Sequence, residues 1–135
     1  MQKNIQTKSD YLAVLAAQAA AEKLGFETIV IDVGEVIGIT DFFVVTSCNN
    51  RRHMETIREE IEASLLEVEK IKPLRIEGKE SDQWMLIDYG IFVVHIHHNR
   101  YGFLIFLEQQ LIIDNVDCLN FFVFIYTGRY QNIFR

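Results

Sequence analysis

The chain is poor in the residues that mark unusual polymers. Among its 135 residues there is one proline, Pro73, and only seven glycines, while half of the sequence is hydrophobic. So little Gly and Pro beside so much apolar material excludes a fibrous or disordered chain and leaves enough for a packed core. The length favours a single domain over 1–135, since domains typically hold ~100–200 residues. Two cysteines, Cys48 and Cys118, are too few to staple a small secreted scaffold. A reduced compartment is the simpler reading.

Long apolar runs are missing as well. A membrane span needs ~20 mostly apolar residues. The best stretch, 103–126, is interrupted by Glu108, Gln109, Gln110, Asp114, Asn115, Asp117 and Asn120. The first ten residues have neither an apolar signal core nor an Arg-rich amphipathic pattern. We expect a soluble, cytoplasmic protein with residues 1–9 flexible. Positive charge is short too: 13 Lys and Arg stand against 19 Asp and Glu, a net charge of −6. Direct DNA binding and an anionic membrane surface are disfavoured, because both want a basic face. A basic protein partner stays open.

What is present is regular. Leu12, Leu15, Ala16, Ala19 and Lys23 follow helical spacing in an Ala-rich run, which predicts a helix over 11–24 capped by Ser9 or Asp10 and stopped at Gly25. The β-branched runs 28–33 and 42–47 predict strands covered on both faces. Met54, Ile57, Ile61, Leu65 and Val68 are spaced 3, 4, 4 and 3, one apolar stripe of a second helix. Asn49 or Asn50 is its expected cap, and it should end near Lys70 or Lys72, before Pro73. A short strand over 73–78 follows, then a hairpin of 83–89 and 91–97 turning at Gly90. The order α-β-β-α-β-β-β predicts an α/β (α+β) domain, a mixed sheet flanked by helices.

Beyond Asn99 the character changes. Nine of the 16 aromatics fall in the last 37 residues, with only three acids and three bases. Residues 100–135 read as a divergent apolar C-terminal segment. Periodicity leaves 100–111 open between helix and strand, while 118–126 reads as a buried strand. Charge concentrates elsewhere: residues 55–82 hold nine acids and five bases, −4 of the net −6. Such a surface could steer a basic partner; a solvated helix face laced with i,i+4 pairs explains the helical part equally well.

Two blocks then point in one direction. In the first, Asp41, Phe42, Phe43 and Val44 lead through Ser47, Asn49 and Asn50 to Arg51 and Arg52 at a helix start. In the second, Glu77-Gly78 precedes Trp84, an apolar run, Asp88-Tyr89-Gly90 and Val93-Val94-His95. Over 10–98 this pattern resembles the ribosomal silencing factor (RsfS, Iojap-related) family. The resemblance implies a nucleotidyltransferase-like fold without catalytic residues, and binding to ribosomal protein L-fourteen of the large subunit. That binding would block subunit association and repress translation when nutrients are short. It implies no enzyme and no cofactor. The tail departs from the family pattern: Arg100 and Leu107-Glu108 correspond imperfectly, and there is no second Trp.

Chemistry competes with this reading at three places. Nucleotidyl transfer needs convergent carboxylates for two metals, but no Asp-x-Asp occurs, and Asp32, Asp41 and Asp88 read as separate carboxylates at strand ends. His95 and His97 share a strand face and could ligate zinc with Asp88, Cys48 or Cys118. Their plainer role is a partly buried His95 in the sheet, with His97 and His98 at an exposed strand end. Cys48 sits before a helix N-terminus that could lower its pKa, and a nucleophile there would need His53 or His95. Trp84 is either a core aromatic or an interface anchor, and the resemblance favours the anchor. Alternation puts Trp84, Leu86 and Asp88 on one face and Met85, Ile87 and Tyr89 on the other. The candidate partner-binding residues are Trp84, Asp88, Tyr89, Glu77, Arg52 and His53. Two alternatives stay open, a nucleotide-binding enzyme of nucleotidyltransferase type and a homodimer or larger homo-oligomer built on the aromatic tail.

Overall fold

A computed structural model describes residues 8–34, 40–81 and 83–98. The expectations for 1–7, for Cys118 and for the tail 99–135 lie outside the described residues. The first helix, α1, runs Lys8–Glu22. It therefore begins before the expected position and absorbs the last two residues of the run expected to be flexible. Ser9 and Asp10 lie inside it rather than ahead of it, where the Asp10 carboxylate suits the positive end of the helix dipole.

The end of α1 differs from the expectation in an informative way. Leu24, not Gly25, takes the left-handed conformation, with φ 68°. Its N–H reaches the Ala21 carbonyl and the Gly25 N–H reaches that of Ala20, the paired bonds of a Schellman cap. Gly25 is needed for space. A Cβ there would stand 2.5 Å from Thr46 Oγ1 and 3.3 Å from Ile57 Cδ1.

Five strands follow around the second helix: β1 (Phe26–Asp32), β2 (Phe42–Ser47), α2 (Arg51–Glu69), β3 (Arg75–Glu77), β4 (Trp84–Asp88) and β5 (Phe92–His97). They form one mixed sheet in the order β1-β2-β5-β4-β3. Only β2 and β5 are parallel; the other neighbours are antiparallel. The fold is thus α+β, as the element order predicts. β2 sits inside the sheet and is buried along its whole length, which its unbroken apolar run requires. A bulge interrupts β1 at Glu27, whose φ is 54°, and beside it the Thr28 and Thr46 hydroxyls bond at 2.7 Å.

Cross-strand partners share a sheet face. One face carries the row Val30, Val44, Val94, Ile87 and Ile76. Thr46 lies on this face, and the proximity of Gly25, Thr46 and Ile57 places α2 over it. The stripe Met54, Ile57, Ile61 and Leu65 is fully buried, worth roughly 1.5–3 kcal/mol for each side chain. Val68, expected in the same stripe, is 48% exposed. Asn50 caps α2 by accepting the His53 N–H at 2.9 Å, and Lys70 ends it in the left-handed region.

The opposite face carries three rows: Ile31, Phe43, Val93, Asp88, Arg75; then Ile29, Val45, His95, Leu86, Glu77; then Phe26, Ser47, His97, Trp84. Each row runs from buried residues at the sheet centre to more exposed ones at the β4–β3 side.

Candidate partner-binding surface

The β4–β3 end of those rows is where the sequence candidates gather. Trp84 is the only tryptophan and stands 39% exposed at the start of β4. Leu86 and Asp88 follow it on the same face, half-buried, and Glu77 lies exposed on β3 opposite Leu86. Arg75 completes the patch. Its guanidinium pairs with Glu77, and its Nε donates to Asp88 Oδ2 at 3.1 Å. These bonds, with the Asp88 contact foremost, hold Arg75 firmly charged. Asp88 Oδ1 accepts the Gly90 N–H at 2.8 Å, which secures the hairpin turn where Gly90 has φ 89°. Both Asp88 oxygens thus have internal partners, and Glu77 is the more open carboxylate.

Trp84 is held rather than loose. Gly78, with φ 85°, lies against it, and a Cβ there would come within 3.2 Å of Trp84 Cε3 and 2.6 Å of its carbonyl oxygen. The Ser81 hydroxyl accepts the N–H of Gln83 at 2.9 Å and of Trp84 at 3.3 Å. An indole with one side seated and the other in water has the form of an anchor.

Tyr89 does not join this patch. It is buried, stacked on Phe92 at 4.8 Å, and its hydroxyl has no hydrogen-bond partner among the described residues. Burial, with the nearby Glu62 charge, pushes its phenol well above the usual range. It is unavailable as a surface contact. Arg52 and His53 sit at the opening of α2. Arg52 is exposed, but His53 is used internally. His53 Nδ1 accepts the Asn49 N–H at 3.0 Å, so Nε2 carries the proton and donates it to the Lys23 carbonyl at 2.8 Å. His53 therefore ties α2 to the end of α1.

His97 is buried rather than exposed, on the central strand β5 between β2 and β4. His95 is buried beside it, edge-on to Phe43 with ring centroids 4.6 Å apart. Burial holds both imidazoles neutral, pushing His95 down to about 3 and His97 to about 4; His97 adds to the shift at His95. Among the described residues no three His, Cys, Asp or Glu side chains are grouped to hold a metal ion. Cys48 is buried, and burial pushes its thiol up to about 11, opposite to the lowering expected from the helix N-terminus. Asp32 and Asp41 come closer together than their sequence positions suggest. Asp32 Oδ1 accepts the Gly34 N–H at 3.2 Å, and a Cβ added at Gly34 would stand 3.5 Å from Asp41 Oδ1, while Asp88 is engaged with Arg75 and Gly90. No helix among the described residues is long and apolar enough to cross a membrane.

The α2 surface explains much of its own charge. Arg58 bonds Glu55 at 2.8 Å and Glu62 at 2.5 Å, and Arg51 pairs with Glu55 at 3.5 Å. Sequence reasoning missed Arg75, Gly78 and Ser81. The Gly at the head of a polar turn, Gly78 to Ser81, was the available signal for the last two.

The family described as "Ribosomal silencing factor during starvation" matches residues 6–101. The ribosomal silencing factor RsfS of Halalkalibacterium halodurans is 30% identical over 87 residues, covering 64% of this chain and 74% of its own. The Mus musculus protein called mitochondrial assembly of ribosomal large subunit protein 1 is 30% identical over 69 residues, half of this chain and 30% of its own. A solved structure from Chromobacterium violaceum shares the fold, with a TM-score of 0.70 at 21% identity, covering 78% of this chain and 87% of the other.

Proposed function

The chain belongs to the ribosomal silencing factor family, and from that premise we propose that it binds the large ribosomal subunit through ribosomal protein L-fourteen and bars the small subunit from joining. Translation is thereby held down under nutrient limitation, in the cytoplasm. The action is that of a wedge, with no bond made or broken. The murine relative's name, which places it in assembly of the large subunit, supports the choice of subunit.

One observation carries the reading: the sole tryptophan is half-seated at the start of β4, on the face that also carries the Glu77 and Asp88 carboxylates. Trp84 supplies apolar area with few rotamers to freeze, and Glu77, the more open carboxylate, favours a basic counterpart. Arg52 lies at the α2 opening as a further contact. The net charge of −6 speeds encounter with a cationic ribosomal protein.

The test is co-sedimentation with purified large subunits on a gradient, together with the fraction of assembled ribosomes. Trp84→Ala should weaken binding by about 2 kcal/mol or more, the cost of losing a hot-spot aromatic. Undiminished pelleting of a correctly folded Trp84→Ala chain would reject the assignment.

A further inference from the structure

We propose that Ser81 and Arg51 are positioning residues whose bonds fix Trp84 in the orientation its docking requires. This rests on the reading of Trp84 as the anchor. The turn before β4 is bound from several directions. The Ser81 N–H donates to the Gly78 carbonyl at 3.0 Å, closing the turn on the glycine that seats the indole. The Ser81 hydroxyl then gathers the N–H groups of Gln83 and Trp84, the two residues that open the strand. Its carbonyl accepts from Arg51 Nη1 at 2.8 Å, a bond to the first residue of α2. The far side of the turn is held too, where the His98 N–H donates to the Gln83 carbonyl at 2.9 Å.

Trp84 starts its strand, so its backbone is set from two sides, by its ladder pairing with His97 and by this turn. Its amide is satisfied by a side chain at the one place where a partner would press on the ring. A hydroxyl that accepts two successive N–H groups sets the chain angle at Trp84 and hence where the indole points. Arg51 transfers that setting to the rigid body of α2, which is anchored in turn through His53 to the end of α1. Preorganisation of this kind lowers the ordering cost of binding without adding a contact.

The sole tryptophan provides its own reporter. In the full chain, Ser81→Ala should raise acrylamide quenching of Trp84 and lower its fluorescence anisotropy. Its binding to large subunits should weaken by roughly three- to tenfold, the loss of about one hydrogen bond. Ser81→Thr, which keeps the hydroxyl, should restore both readouts. Arg51→Gln should shift quenching the same way, and Arg51→Lys should recover part of it. Unchanged quenching and anisotropy in both Ser81→Ala and Arg51→Gln would overturn the proposal, as would a failure of Ser81→Thr to rescue. Fluorescence changes without any loss of binding would overturn the docking role too. If Trp84→Ala itself binds normally, the anchor reading fails, while the fluorescence result still reports whether the turn orients the ring.

Discussion

A histidine in the middle of a sheet carries a consequence that depends only on its surroundings. His95 and His97 are buried, and both imidazoles stay neutral in the folded chain well below their ordinary pKa. In the unfolded chain both titrate near ~6.5. Between that value and about 4, the unfolded state binds more protons, so acid favours unfolding. Stability is fully present above ~6.5 and falls as pH drops, by up to ~1.4 kcal/mol per pH unit for each histidine. Urea melts at pH 7.5 and pH 5 should show this loss, and His97→Gln should remove about half of the slope. A His97→Gln chain with the same pH dependence as the parent would contradict it. The sequence showed that the two side chains share a face, because strands alternate. It could not show that β5 is a central strand, since β2, its neighbour, lies far away in the chain. Tyr89 failed in the same manner: alternation gave its face correctly, but only the packed Phe92 reveals that the face is interior.

At the level of elements, α2 was the most legible part of the sequence. Its stripe needed no tertiary knowledge, and Asn50 capped it as the pattern of residues suggests. Val68 breaks the rule because periodicity reports the side of a helix, not how far the neighbour beneath it extends. Local strain was invisible for a related reason. Leu24 occupies a left-handed position that glycine usually takes, and its side chain is 78% exposed, so nothing in its packing compensates. Leu24→Gly should therefore stabilise the chain by roughly 0.5–1 kcal/mol, the relief of left-handed strain less the entropy that glycine adds to the unfolded state. Chemical denaturation measures this directly, and a lowered midpoint would show that Leu24 makes a contribution the cap geometry does not reveal. Gly25→Ala should act in the opposite direction, since the added Cβ meets the Thr46 hydroxyl.

For the whole molecule, the placement of Trp84, Glu77 and Asp88 on one sheet face defines the contact surface proposed above. The sequence marked the turn from Gly78 to Ser81 but not what it does, because Arg75, Gly78 and Ser81 keep the patch in order through contacts that only the fold brings together. Long-range charge is a property of the entire chain. With −4 of the net −6 concentrated in 55–82, association with large subunits should slow by roughly tenfold or more between low salt and several hundred millimolar, while dissociation changes less. Stopped-flow measurement across a salt series tests this, and an association rate indifferent to salt would remove electrostatic steering from the account. Among the described residues the one parallel pair of the sheet, β2 with β5, joins strands about fifty residues apart, Phe42 lying opposite Phe92, and contacts of such separation close late. During synthesis β2 must wait, apolar and without its second neighbour, until the hairpin has left the exit tunnel. A factor bound for ribosomes thus finishes its own centre only after nearly all of its described fold has emerged from one.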